Sequence, residues 1–125
     1  MSRVISMRSV MAAVHHNGGP PFRPTWPGHY RSGVPLHDLE AVLRSRRDDA
    51  PAGSYTAELL ADPERTQRKI MEEAFEVCLE LGRTDRSDER IAEEAADLVY
   101  HLMVGLVGAD VPFDHVLRVL EERKR

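Results

Sequence analysis

Two long stretches of helical periodicity, joined only by "GRTDRSD", constrain this chain more than any other feature. The first, "PERTQRKIMEEAFEVCLEL", follows Asp62, a capping residue type, has Pro63 at its first position and stops at Gly82, where a C-terminal cap belongs. At about 100° per residue, Ile70, Met71, Ala74, Phe75, Val77, Cys78 and Leu81 spread over a wide arc. A helix with such an arc is expected to be packed on two sides. The second stretch, capped by Ser87 or Asp88, spans about 88–107 and carries Ile91, Ala95, Leu98, Val99, Leu102, Met103 and Leu106. So short a connection favours an antiparallel hairpin.

The flanking segments are helical too. Leu36, Leu39, Val42 and Leu43 repeat at helical spacing after Pro35, through about Arg46. Ser54 is placed to cap a short helix carrying Leu59 and Leu60. Pro112 opens a last helix with Phe113, Val116, Leu117 and Leu120. No segment offers period-two alternation, so the expected fold is all-α, an antiparallel bundle of four to five helices. Its apolar surface exceeds what short helices can cover alone, which implies a partner.

Residues 1–33 read differently. "HHNGGPPFRPTWPGHYRSG" holds four Pro and four Gly without periodicity, and the expectation is a disordered arm preceding a helical domain at 34–125. The segment before it lacks the long apolar core of a secretory signal. His15 and His16 are read as solvated. The 17 basic and 21 acidic side chains divide unevenly, because the arm holds Arg3, Arg8, Arg23 and Arg31 and no acid. The remainder is strongly acidic, which argues against binding nucleic-acid backbones. No apolar run is long enough for a membrane span, and the single cysteine, Cys78, can form no internal disulfide. The expected compartment is the reducing cytoplasm.

Each long helix carries an acidic pair beside its apolar surface. Glu73 and Glu76 are three apart in the first, with Glu72 adjacent, and Glu94 and Asp97 are three apart in the second. Like charges at this spacing destabilise a helix modestly, so something is expected to offset them. In an antiparallel hairpin the two pairs lie at similar depth and form one oxygen-rich patch. A solvated acidic stripe is the ordinary reading of any one such residue, and Glu80, Glu89 and Glu93 are left to it, with Arg83, Arg86 or Arg90 as partners. Four carboxylates converging between apolar helices suit a hard divalent cation. Mg²⁺ accepts one or two carboxylates directly and keeps waters and substrate phosphates as further ligands.

The pattern "KIMEEAFE" followed by "EEAADLVYHL" resembles the EExxE…ExxD signature of the all-α nucleoside triphosphate pyrophosphohydrolases, which include MazG-type enzymes and dimeric dUTPases. Adding "SYTAELL" before it and "VPFDHVLRVLEER" after it, the chain from about Leu36 to Arg125 is similar to the phosphoribosyl-ATP pyrophosphohydrolase family of histidine biosynthesis. The resemblance implies Mg²⁺-dependent cleavage of phosphoribosyl-ATP to phosphoribosyl-AMP and pyrophosphate by a homodimer. By motif position it makes Glu72, Glu73 and Glu76 the catalytic cluster and Glu73, Glu76, Glu94 and Asp97 the metal ligands. It places Lys69 against phosphate, assisted by Arg65, with Tyr55 and Thr56 as substrate contacts. For Tyr55 and Thr56, packing and capping remain the alternative, and His101 reads as a hydrogen-bonded structural residue as readily as a base. Met71 and Thr66 depart from the family pattern, where a small and an aliphatic residue are expected. The cysteine ligands of the cyclohydrolase fused to some relatives are missing, so only the pyrophosphohydrolase activity is expected.

No GxxxxGK[ST] loop occurs, so cation and Lys69 would have to do the phosphate binding a P-loop does elsewhere. One carboxylate of the Glu72, Glu73 and Glu76 cluster would orient or deprotonate the attacking water. Two other readings stay open: a MazG-like housekeeping hydrolase of nucleoside triphosphates, and a noncatalytic helical dimerisation module.

Overall fold

The computed structural model describes residues 35–124, and the arm expected at 1–33, with its His15 and His16, lies outside them. Five helices follow in order: α1 Pro35–Asp48, α2 Tyr55–Ala61, α3 Pro63–Leu81, α4 Asp88–Gly108 and α5 Phe113–Glu122. No strand occurs among the described residues, so the fold is all-α as expected.

Local chemistry sets the helix starts. The Ser54 hydroxyl accepts from the Ala57 N–H, the Asp62 carboxylate from the Arg65 N–H and the Ser87 hydroxyl from the Arg90 N–H, each satisfying a donor the first helical turn leaves unpaired. Pro63 occupies the first turn of α3, where its missing N–H costs nothing. Gly82 does cap α3, but in right-handed conformation, through its N–H to the Cys78 carbonyl.

Two other ends depend on distant residues. At the C-terminus of α4, Val111 N–H bonds to Leu106 O and Asp110 N–H to Val107 O, a Schellman arrangement with Asp110 in the left-handed position at φ 55°. Glycine is usual there; here Arg47 of α1 holds Asp110 through its carboxylate and also donates to the Val107 carbonyl at 3.1 Å. Pro112 supplies no side-chain cap to α5, and Glu40 of α1 substitutes, its Oε2 accepting from the Phe113 N–H at 2.6 Å. The His37 ring nitrogen lies 2.6 Å from Asp114 Oδ1 and adds a second tie between α1 and α5.

The core is built from α1, α2 and α4: Leu43, Leu59, Met103, Val104 and Val107 are buried, with Leu39, Tyr55, Leu60, Tyr100, Leu106 and Phe113 packed around them. Helix α3 lies along α4. Glu80 meets Arg90, Glu73 approaches Glu94 and Asp97, and Ile70 and Thr66 approach Gly105. That order of pairing makes the hairpin antiparallel.

The expectation that α3 is packed on two sides does not hold among the described residues. Its buried residues are Thr66, Lys69 and Glu73, all polar, whereas Met71 is 72% and Phe75 61% exposed and Leu79 and Leu81 are also open. The helix turns its acidic edge, at Glu73, toward Glu94 and Asp97 of α4. Its opposite apolar stripe is left to solvent.

Candidate metal and active site

Antiparallel pairing brings Glu73 of α3 opposite Glu94 and Asp97 of α4. One carboxylate oxygen from each lies within 4.8 Å of the other two, an arrangement able to hold a metal ion. Glu73 is fully buried and Asp97 nearly so. Glu73 Oε2 and Glu94 Oε2 are buried without a hydrogen-bond donor. Taking a carboxylate out of water costs of order several kcal/mol unless a charge or donor replaces the solvent. Burial raises the Glu94 carboxyl above its ordinary range, and the neighbouring charges of Asp97, Glu76, Glu73 and Glu80 push it the same way. An oxygen-only donor set with unsatisfied lone pairs fits a hard divalent cation.

Of the four carboxylates expected as ligands, Glu73, Glu94 and Asp97 are the ones whose oxygens converge. Glu76 does not join the converging oxygens. It remains beside the site, half-buried and close enough to contribute to the repulsion on Glu94. Glu80 is tied to Arg90 Nε at 2.9 Å, with Arg83 behind it at 3.8 Å, as the ordinary reading of that residue expected.

Lys69 lies one turn before Glu73 on α3. Its Nζ is 2.9 Å from Glu73 Oε1, an ion pair, and donates to Glu72 Oε2 at 3.1 Å. Burial lowers the ammonium's affinity for its proton, but Glu73 and Glu72 outweigh that and raise its pKa above the ordinary value. Glu72 is partly exposed and sits on the solvent side of this pair. Arg65, a turn earlier, pairs with Glu58 at 3.3 Å and places its guanidinium 5.5 Å from the centre of the Tyr55 ring. Arg65 and Lys69 thus lie on successive turns of α3 before Glu73.

Tyr55 and Thr56, expected as substrate contacts, turn their hydroxyls to α4. The Thr56 hydroxyl bonds to that of Tyr100, and the Tyr55 hydroxyl lies 3.0 Å from His101 Nε2. His101 is fully buried, and its Nδ1 lies 2.7 Å from the Asp97 carbonyl. A carbonyl can only accept, so Nδ1 carries the proton, Nε2 is the acceptor and Tyr55 donates. Burial pushes the His101 pKa down, against the Asp97 carbonyl and the Glu73 charge. It pushes the Tyr55 hydroxyl up, against Lys69 and Arg65. With both ring nitrogens engaged, His101 ties Tyr55 to the Asp97 turn, an arrangement that fits its structural reading. The sequence signal for it was only the i, i+4 spacing of Asp97 and His101. Thr66 is buried, and its hydroxyl donates to the Leu59 carbonyl at 2.8 Å and closes the α2–α3 corner. Met71 lies on the exposed stripe and touches none of this.

Comparison with known proteins places this geometry in a family. A family model described as phosphoribosyl-ATP pyrophosphohydrolase matches residues 36–124. A phosphoribosyl-ATP pyrophosphatase of Ruegeria sp. (strain TM1040) is 43% identical over 90 residues, 71% of this chain and 84% of the relative. One from Methylobacterium nodulans is 40% identical over 89 residues, covering 70% and 81%. The phosphoribosyl-ATP pyrophosphatase of Halobacterium salinarum is 36% identical over 92 residues, covering 72% and 97%. The aligned region spans all five helices and every residue of the carboxylate site, and the chain belongs to the phosphoribosyl-ATP pyrophosphohydrolase family.

Proposed function

We propose that this chain hydrolyses phosphoribosyl-ATP to phosphoribosyl-AMP and pyrophosphate, the second step of histidine biosynthesis, with Mg²⁺ as its cofactor. The observation that carries the chemistry is the convergence of Glu73, Glu94 and Asp97 with two buried, donorless oxygens. Family membership supports the choice of substrate.

Glu73, Glu94 and Asp97 would hold the cation, and Glu76 stands beside them as a further carboxylate. The bound cation would supply charge to neutralise the polyphosphate and stabilise the leaving pyrophosphate. Lys69 and Arg65, on the same side of α3, would bind phosphate oxygens. A carboxylate of the Glu72, Glu73 and Glu76 cluster would accept the proton of the attacking water. Glu72 and Glu76 are the better placed, because Glu73 is enclosed between α3 and α4. Tyr55 and Thr56 would act on substrate only through the shape of α2, with their hydroxyls committed to His101 and Tyr100.

The reading extends to assembly. The stripe Met71, Phe75 and Leu79 on α3 has the i, i+4, i+8 spacing of a helix interface, and a second copy of the chain would cover it. Residues 34–125 would form the hydrolase domain, and the enzyme would work in the cytoplasm; no single described helix is long and apolar enough to cross a membrane.

The test is pyrophosphate release by the purified chain from phosphoribosyl-ATP and from a panel of nucleoside triphosphates, each with Mg²⁺ and with chelator. Release from phosphoribosyl-ATP that chelator removes is the expected result. Turnover of deoxynucleoside triphosphates but not phosphoribosyl-ATP would move the chain to the housekeeping hydrolases, and no release from any substrate would make it a noncatalytic module.

A further inference from the structure

Glu73 is the most enclosed carboxylate of the site, and the cation standing against it belongs to the protein. Lys69 Nζ lies 2.9 Å from Glu73 Oε1, and the same ammonium donates to Glu72 Oε2 at 3.1 Å. The two carboxylates differ: Glu73 is fully buried, while the Glu72 side chain is 40% exposed. All three residues lie within two turns of α3, so the Lys69–Glu72 and Lys69–Glu73 contacts run along one helix. Their effect is local, placing one positive charge against the inner carboxylate, where Glu73, Glu94 and Asp97 otherwise gather negative charge.

Resting on the metal-site reading above, we infer that Lys69 is an exchangeable counter-ion, which neutralises Glu73 in the metal-free protein and is driven outward toward Glu72 and the substrate side when a divalent cation enters. A dication bound by Glu73, Glu94 and Asp97 takes over the charge compensation of Glu73 and repels the ammonium at close range. Glu72 gives the displaced ammonium a partner already in contact, so it moves by rotation of its flexible stem while α3 stays fixed. Lys69 therefore opposes metal binding when no substrate is present. It becomes favourable once a polyphosphate arrives to meet it. Metal and substrate are thereby coupled, because the anion relieves the repulsion between cation and lysine.

This differs in sign from a lysine that only contacts phosphate, which leaves metal affinity alone, and from one that holds Glu73 in place for the metal, which strengthens it. The test is titration of the full chain with Mn²⁺ in the absence of nucleotide, following free Mn²⁺ by its electron paramagnetic resonance signal, for wild type, Lys69→Met, Lys69→Gln and Lys69→Arg. The Met and Gln variants are expected to bind Mn²⁺ more tightly by about three- to tenfold, as removal of a unit charge near a dication in a partly solvated site implies. Lys69→Arg is expected to stay near wild type. Unfolding temperature gives a second reading: saturating Mn²⁺ should raise it more in Lys69→Met than in wild type. Unchanged or weaker binding in both neutral variants, with wild type binding the ion, overturns the counter-ion role and leaves the metal site standing. No binding by wild type overturns both. A Met variant that does not fold leaves the Gln variant to decide.

Discussion

Tyr55 donates its hydroxyl to His101 Nε2 across 3.0 Å, while the opposite nitrogen of the same ring donates to the carbonyl of Asp97. One buried imidazole thereby joins the short helix α2 to the turn of α4 that presents the Asp97 carboxylate. Tyr55→Phe keeps the ring packing against Tyr100 and His101 and removes only the donor, leaving Nε2 buried and unsatisfied. The expected loss is roughly 1–3 kcal/mol of unfolding free energy, read from urea denaturation with an unchanged slope. Wild-type stability in this variant would mean that the bond does not form in solution.

The same histidine gives a pH dependence. Burial holds its folded-state pKa below the ordinary histidine value, so below about pH 6.5 the unfolded chain binds a proton that the folded chain refuses. Stability rises with pH wherever the unfolded state holds more protons, so this contribution is complete above that value and is lost as pH falls through the interval down to the folded-state value. Thermal unfolding between pH 7.5 and 5.5 should show a decline that is shallower in His101→Gln. Equal slopes would show that His101 titrates alike in both states.

Gly105 faces Ile70 across the hairpin, and a Cβ built there would stand 3.2 Å from Ile70 Cδ1. That atom is the end of a flexible side chain, and alanine is the better helix former by about 1 kcal/mol, so Gly105→Ala should be close to neutral. Gly105→Leu should cost about 1–3 kcal/mol by forcing α3 away from α4. Chemical denaturation of both variants checks the pair. Equal stability of the two would contradict the close approach.

Asp110 adopts the left-handed conformation that glycine favours, and Arg47 holds it there. Asp110→Gly loses an exposed ion pair but relieves the backbone, while Asp110→Ala loses the pair and keeps the strain. The glycine variant should be the more stable of the two by about 1 kcal/mol, measured by thermal unfolding. The reverse order would place the residue outside the left-handed region.

What the sequence made legible was mostly local. Helix starts at Ser54, Asp62 and Ser87 use donors and acceptors within one turn, and the acidic spacing of Glu73 with Glu94 and Asp97 survives because a short antiparallel connection leaves little choice of register. Distant substitutions were not legible: Glu40 caps α5, and Arg47 secures Asp110, through pairings that only the tertiary fold creates. The apolar arc of α3 was visible, but periodicity along one helix does not say which part of the arc its neighbours cover. Glu76 was grouped with Glu73 on spacing alone, and the same spacing brings Glu94 and Asp97 together but leaves Glu76 beside the converging oxygens. The commitment of Tyr55 and Thr56 to α4 has no signature in a short motif read along the chain.

The central claim is that buried carboxylates of α3 and α4 hold the cation that makes phosphoribosyl-ATP hydrolysis possible. Pyrophosphate release from phosphoribosyl-ATP, followed across a Mg²⁺ titration for wild type, Glu73→Gln and Asp97→Asn with helix content checked by circular dichroism, tests it most directly. Losing a metal ligand should cost at least as much as losing its supporting partner, about a hundredfold, with the helical signal intact. Wild-type turnover and Mg²⁺ dependence in both folded variants would contradict the account.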